Sequence, residues 1–122
     1  MADRDSRDLK VLLVEDVEDM RLALEDQGFI VLEAEDGQSA VATAVRDTPD
    51  VILMDLSLPL MDGFAAAKLM RQTHEPKNVP IIAVTASPKN EIIGEIMSCG
   101  MNDFVSKPFK PNELRNKILE YL

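Results

Sequence analysis

The stretch Val51-Ile52-Leu53-Met54-Asp55 places four consecutive apolar side chains directly before a carboxylate. Apolar runs without polar alternation are typical of strands that are buried on both faces of a parallel sheet. Two further runs have the same form, because Val11–Val14 precedes two acidic residues and Ile81–Val84 precedes a threonine. Parallel strands end along one edge of a sheet, and ligands of open α/β sheets bind at that edge. The sequence therefore predicts that these oxygen-bearing side chains lie close together.

The rest of the chain alternates five times between strand-like and helix-like patterns. We predict strands at 10–14, 29–33, 51–54, 81–84 and 103–105, and helices at 18–26, 36–46, 64–73, from 87 and from 111. Asp36 is expected to cap the second helix, Ser87 to cap the fourth, and Gly28 and Gly100 to end the first and fourth. Strict alternation favours a doubly wound (βα)5 fold with a five-stranded parallel sheet.

The inward faces of the predicted helices follow from the spacing of their apolar residues. These predicted core positions are Met20, Ala23, Leu24, Ala40, Val41, Ala44, Val45, Phe64, Ala67, Met70, Ile92, Ile93, Ile96, Met97, Leu114, Ile118, Tyr121 and Leu122.

Composition limits the classes of function that the chain can have. Its 122 residues are the usual size of one domain, predicted at 9–122, after a charged extension at 1–8 that we expect to be disordered. With 13 basic and 22 acidic residues, the formal net charge is −9, which argues against a nucleic-acid surface. The single cysteine rules out an internal disulfide, and neither a signal peptide nor a run of about 20 apolar residues is present, so we expect a cytoplasmic protein without membrane contact.

The acidic residues after the apolar runs have an electrostatic consequence. Glu15, Asp16 and Asp55 repel each other if they share one edge of the sheet, and a cation relieves that cost. Oxygen ligands that leave room for water suit Mg²⁺, which often serves phosphoryl transfer. Because no phosphate-cradling glycine loop is present, we expect the phosphoryl group to pass to Asp55 itself, as an acyl phosphate. Thr85 and Lys107 follow neighbouring strands and can bind two of its oxygens.

These residues resemble the receiver domain of bacterial two-component response regulators, over residues 10–122. The motifs that carry the resemblance are Val14-Glu15-Asp16, Leu53-Met54-Asp55-Leu56 followed by Pro59 and Gly63, Val84-Thr85-Ala86, and Lys107-Pro108-Phe109. The resemblance implies the flavodoxin-like strand order 2-1-3-4-5. It also implies that a histidine kinase or phosphotransfer protein donates a phosphoryl group to the chain. The output would be contact between a downstream protein and the face formed by helix 4, strand 5 and helix 5.

The resemblance also assigns roles to single residues. Asp55 would be the phosphoacceptor, and Mg²⁺ would be bound by Asp16, Asp55 and the Ser57 carbonyl directly and by Glu15 through water. The switch residue Thr85 would move toward the phosphoryl group, and Lys107 would bridge to it. Phe104, three residues before this lysine, would be the aromatic switch residue, although a phenylalanine there can equally belong to the core.

Two other functions, and one departure from the family pattern, accompany this interpretation. A pseudo-receiver would have the same fold without being phosphorylated, and a metal-dependent aspartyl phosphatase would need an acidic residue at the position of Ser57.

The first helix is also about one turn shorter than is usual for the family. We expect this shortened helix to leave apolar surface near Leu119 and Leu122, which leads to the hypothesis of a homodimer.

Overall fold

The computed structural model describes residues 9–14, 18–56, 63–72, 79–85, 90–106 and 110–121. Within these ranges, the strands are β1 (Lys10–Val14), β2 (Ile30–Ala34), β3 (Val51–Asp55), β4 (Ile81–Thr85) and β5 (Asp103–Ser106). The helices are α1 (Glu18–Asp26), α2 (Gly37–Asp47), α3 (Gly63–Gln72), α4 (Asn90–Ser98) and α5 (Pro111–Glu120). All strands are parallel, in the order β2-β1-β3-β4-β5, which confirms the predicted doubly wound fold. No helix of the described part is long and apolar enough to cross a membrane.

Apolar side chains cover both faces of the sheet, which explains why its strands lack polar alternation. In β3, Ile52 and Met54 belong to a buried cluster that also contains side chains of α2, α3 and α4. Val51 and Leu53 belong to a second buried cluster, which contains side chains of α1 and α5. We call these the α2–α4 cluster and the α1–α5 cluster. The central strand is therefore enclosed from both sides, and only its end can approach solvent.

The predicted glycine stops of α1 and α4 are confirmed. Gly28 and Gly100 have φ angles of 94° and 98°, in the left-handed region that favours glycine. At each stop the following residue donates its N–H five positions back, Phe29 to the Leu24 carbonyl at 3.2 Å and Met101 to the Ile96 carbonyl at 3.1 Å.

The bounds of β1 and α1 are as predicted, and several other predicted bounds differ from the structure by one residue. Strand β2 begins at Ile30 rather than Phe29, because the Phe29 N–H takes part in the turn that ends α1. Strands β3, β4 and β5 each continue one residue further than predicted. Asp36 caps α2 as predicted, since its Oδ1 accepts from the Ser39 N–H at 2.8 Å. The structure gives α4 from Asn90, and the predicted cap Ser87 lies outside the described residues.

Two residues predicted on inward helix faces are exposed instead. Val45 is 45% exposed and Met97 is 55% exposed, so both predictions are wrong. Each is the second of two consecutive apolar residues, about 100° around the helix from a buried neighbour, Ala44 or Ile96. The buried side of α2 is completed by a polar residue, Thr43, which the apolar spacing could not indicate.

The structure describes only one of the two residues of the predicted apolar surface, Leu119, and this residue is not openly exposed. Leu119 is half-buried and packs against the α1–α5 cluster, while Leu122 and the side chain of Met20 lie outside the described residues. The nine-residue helix α1 reaches this cluster through Leu24. The homodimer stays a hypothesis, and the burial of Leu119 does not support it. The disordered extension at 1–8 likewise lies outside the described residues and stays a prediction.

A set of hydrogen bonds joins the end of α3 to the turn between α4 and β5. Arg71 donates from Nε to the Gly100 carbonyl at 2.9 Å and from Nη2 to Asn102 Oδ1 at 2.8 Å. The same Asn102 oxygen accepts from the Ile81 N–H at 2.9 Å. This arrangement, which we call the Arg71 bracket, holds the C-terminal end of α4 and the starts of β4 and β5 together.

Candidate functional site

Two of the predicted site residues end adjacent strands at the same edge of the sheet. Asp55 is the last residue of β3 and pairs in register with Val84, and Thr85 is the next residue of β4. Because neighbouring strands lie about 4.8 Å apart, their backbones are near neighbours. Asp55 is half-buried, and Thr85 is 9% exposed. The structure therefore brings a partly accessible carboxylate and a nearly buried hydroxyl residue to one place.

Two other predicted site residues, Glu15 and Lys107, directly follow strands that end at this same edge. Val14, to which Glu15 is bonded, pairs with Met54, the residue before Asp55. Ser106, to which Lys107 is bonded, pairs with Thr85. Glu15, Lys107 and the two other predicted site residues, Asp16 and Ser57, lie outside the described residues, so their roles stay predictions.

Phe104 lies on the same face of the sheet as Thr85. It pairs with Ala83 on β4, and side chains alternate along a strand, so Thr85 is its diagonal neighbour. Phe104 is half-buried against the α2–α4 cluster. It is therefore partly a core residue, as the alternative interpretation held, and its role as a switch stays a prediction.

The described residues supply only part of a metal site. They contain no group of three or more His, Cys, Asp or Glu side chains that could hold a metal ion, because of the predicted ligands only Asp55 falls within them. Its carboxylate is a hard oxygen donor at the open end of β3, which is the donor chemistry that Mg²⁺ prefers. The part of the predicted donor set that is described therefore fits Mg²⁺.

A polar cluster that the sequence patterns did not predict ties β5 to α5. Asp103 Oδ2 accepts from Tyr121 OH at 2.8 Å and pairs with Lys117 Nζ at 3.1 Å, and its Oδ1 accepts from the Phe104 N–H at 2.8 Å. Tyr121 was predicted as part of an apolar stripe, and it does pack on the α1–α5 cluster through its ring. Lys117 and Tyr121 are four residues apart and therefore lie on one face of the helix, which is the sequence feature that could have indicated a common binding partner.

The members of this cluster shift each other's pKa values. Burial alone would raise the pKa of Asp103, but hydrogen bonds from the Phe104 backbone, Tyr121 and Lys117 lower it overall. The hydrogen bond to Asp103 raises the pKa of Lys117. Burial, together with the hydrogen bond to Asp103, raises the pKa of Tyr121 to about 12. The cluster is therefore held as a carboxylate, an ammonium and a neutral phenol at neutral pH.

We expect Asp103→Asn to lower the free energy of unfolding by about 1 kcal/mol at pH 7, because a charge-assisted contact is lost from a partly exposed site. A depressed carboxyl pKa contributes stability above the unfolded-state value of about 3.9, and that contribution is lost as pH falls through the folded-state pKa. The difference in the free energy of unfolding between variant and wild type should therefore become smaller below about pH 4. Urea unfolding at several pH values measures it, with the exposed Asp26→Asn as control. If the difference in unfolding free energy did not change with pH, the stabilising effect of the lowered Asp103 pKa would be contradicted.

Comparison with protein families gives a consistent result. The family model described as "Response regulator receiver domain" matches residues 11–119. Among solved structures, the receiver domain of the sensor histidine kinase PA1611 from Pseudomonas aeruginosa, determined with a magnesium ion coordinated in its active site cleft, is 36% identical. It superposes with a TM-score of 0.86, over 93% of this chain and 96% of that one. The Vibrio cholerae chemotaxis protein CheY4 is 33% identical with a TM-score of 0.87, over 93% and 98% of the two chains.

Curated relatives include much longer proteins. The CAI-1 autoinducer sensor kinase/phosphatase CqsS of Vibrio cholerae is 33% identical over 93% of this chain, which corresponds to 17% of that protein. The phosphate regulon transcriptional regulatory protein PhoB of Klebsiella pneumoniae is 34% identical over 89% of this chain and 49% of its own length. The chain thus spans about half or less of these two relatives.

Proposed function

This chain belongs to the response regulator receiver domain family of two-component signalling, and from that premise we propose that it is a phosphorylation-dependent switch whose phosphoacceptor is Asp55. The observation that carries the proposal is the position of Asp55 at the end of the central strand β3, beside Thr85 at the end of β4. The half-buried carboxylate is accessible to a phosphoryl donor, while the strand that carries it is enclosed on both faces of the sheet.

The proposed reaction is a phosphoryl transfer from a phosphohistidine of a histidine kinase or phosphotransfer protein. A carboxylate oxygen of Asp55 forms a bond to phosphorus, the phosphorus–nitrogen bond breaks, and the histidine nitrogen keeps its electron pair. Bound Mg²⁺ would neutralise negative charge around the phosphoryl oxygens. Glu15, Asp16, Asp55 and the Ser57 carbonyl are the residues that we propose to hold it, and the magnesium-bound relative from Pseudomonas aeruginosa supports this metal.

The proposed response begins at Thr85 and Lys107, which would bind two phosphoryl oxygens. Movement of Thr85 would change the space beside Phe104, because the two side chains are diagonal neighbours on one face of the sheet. Phe104 belongs to β5, between α4 and α5, so a change there alters the surface of all three elements. We propose that a downstream protein binds this surface, that nucleic acid and membrane do not, and that the chain acts in the cytoplasm.

The test of this function is phosphorylation of the wild-type chain by acetyl phosphate with Mg²⁺, followed by intact-mass measurement. We expect a mass increase of one phosphoryl group, and a spectral change when beryllofluoride and Mg²⁺ are added as a stable mimic. A pseudo-receiver would give neither result. Continuous turnover of phosphoesters would instead support the aspartyl phosphatase, and either outcome would overturn the switch.

We expect Thr85→Ala to be phosphorylated to the wild-type level but to lose most of the conformational response. Coupling of about 1–3 kcal/mol is typical of such switches, so the population shift should fall at least fivefold. The chain has no tryptophan and four phenylalanines, so ¹⁹F NMR of fluorophenylalanine, with the Phe104 signal assigned by Phe104→Leu, measures the response directly.

Thr43→Ala is the matched control for Thr85→Ala. Thr43 is 8% exposed, close to the 9% of Thr85, but it lies on α2, away from the carboxyl edge. This control should keep the full response of the Phe104 signal. An equal loss in both variants would assign the effect to core packing rather than to the position of Thr85.

A further inference from the structure

Few of the described side chains of helix α4 are fully buried. Of its side chains that the structure describes, only Ile96 is fully buried, while Ile92 and Ile93 are half-buried and Met97 is 55% exposed. Its C-terminal end is fixed separately, by the hydrogen bond from Met101 to the Ile96 carbonyl and by the Arg71 bracket at Gly100. The middle of α4 therefore depends on its own helical stability more than its C-terminal end does.

A glycine in the middle of this helix has no steric reason to be there. Gly94 is exposed, its φ angle is not in the left-handed region, and a Cβ added to it would meet no heavy atom within 4 Å. Gly100 is the contrast, because its φ is +98° and an added Cβ would lie 2.7 Å from Arg71 Cγ. Glycine inside a helix is disfavoured relative to alanine, mainly through backbone entropy. The physical effect of Gly94 is therefore to make α4 easier to open.

Helix α4 lies beside the region that is proposed to switch, because it contacts β5, the strand that carries Phe104. Ile92 and Phe104 both pack on the α2–α4 cluster, which includes Ala83, the register partner of Phe104 and the residue two before Thr85. Opening α4 at Gly94 would remove Ile92 from that cluster while the Arg71 bracket still holds the helix end. Phe104 would then have space to change its packing without unfolding of the sheet.

We propose that Gly94 sets the rate at which the Thr85–Phe104 region exchanges between its two packings, by allowing local opening of α4. The inference rests on the proposed function, because the two packings are those before and after phosphorylation. Helix α4 is helical in the structure, and we take it to be helical in both packings, so that a more stable helix raises only the intermediate opened state in free energy. Gly94→Ala should accordingly slow the exchange and leave the two populations unchanged.

The first measurement is native-state hydrogen exchange of the α4 amides in the unphosphorylated chain. Gly94→Ala should slow exchange at 92–97 roughly fourfold to fivefold, the factor that corresponds to the helix propensity difference. The double variant Ala42→Gly/Gly94→Ala is the matched control, since Ala42 is an exposed residue in the middle of α2 and its change offsets the gain in global stability. Slow exchange of α4 should persist in the double variant. If the α4 amides of the double variant exchanged as fast as those of the wild type, the slowing would be due to global stability alone, and the proposal would be overturned.

The second measurement is the rate of the Phe104 ¹⁹F change after beryllofluoride and Mg²⁺ are added. It should fall by a similar factor in Gly94→Ala and in the double variant, with the final spectrum unchanged. A rate equal to that of wild type, with α4 exchange slowed, would overturn the role of Gly94 and leave the proposed function intact. If no spectral change occurs in any variant, the proposed function and the switching role both fail, although slowed exchange would still be visible in α4.

Discussion

Asp55→Asn should abolish phosphorylation of the chain, so that acetyl phosphate with Mg²⁺ produces no mass increase under conditions that fully modify the wild type. The amide has nearly the shape of the carboxylate but lacks the anionic oxygen that attacks phosphorus. We expect the fold to tolerate this change at the half-buried end of β3, since the strand below it is fixed by the paired strands β1 and β4. Intact-mass spectrometry measures the loss, and thermal unfolding checks that the fold is retained.

Asp47→Asn is the charge-matched control for this loss. Asp47 ends α2, where its carbonyl accepts from Lys10 Nζ at 3.1 Å at the start of β1, so it lies at the opposite edge of the sheet. Its carboxylate pairs with Arg46 on the surface, and such exposed pairs contribute little to stability. This control should be phosphorylated as well as the wild type. A mass increase that persists in Asp55→Asn would place the phosphoacceptor elsewhere and end the proposed function.

The fold was predictable because the apolar patterns and the helix stops depend on local chemistry. Gly28 and Gly100 end their helices as predicted. Glycine adopts positive φ without strain because it has no Cβ, so this stop depends on the residue itself rather than on distant contacts. The faces of α2 and α4 were less predictable, because Val45 and Met97 are apolar yet exposed. Whether an apolar side chain is covered depends on neighbouring elements, which the spacing within one helix does not include.

The candidate site was predictable only as far as strand ends determine it. Asp55 and Thr85 lie at adjacent strand ends because parallel pairing brings them there. The Asp103–Lys117–Tyr121 cluster was not predicted, since its members are 14 and 18 residues apart and meet only when α5 packs on β5. Tyr121 also illustrates why an apolar stripe is ambiguous, because its ring packs on the core while its hydroxyl binds a carboxylate.

Leu53→Ala should produce the largest loss of stability among the substitutions considered, about 2–5 kcal/mol in the free energy of unfolding. Leu53 is fully buried in the central strand, within the α1–α5 cluster. Its removal leaves a cavity that neighbouring strands on both sides prevent from collapsing. A domain of this size has only about 5–15 kcal/mol of stability in total, so the urea midpoint should fall by a large fraction.

The control for Leu53→Ala is the same chemical change at Leu22, which is 46% exposed on α1. Because alanine favours helix and little buried surface is lost, Leu22→Ala should change stability by less than about 1 kcal/mol. Leu53 also precedes Asp55 by two residues on the same face of β3, so a relaxed strand would displace the proposed phosphoacceptor. Leu53→Ala should therefore be phosphorylated more slowly even where it is fully folded, whereas Leu22→Ala should not. Equal midpoints for the two variants would contradict the enclosed position of β3, on which the geometry of the site depends.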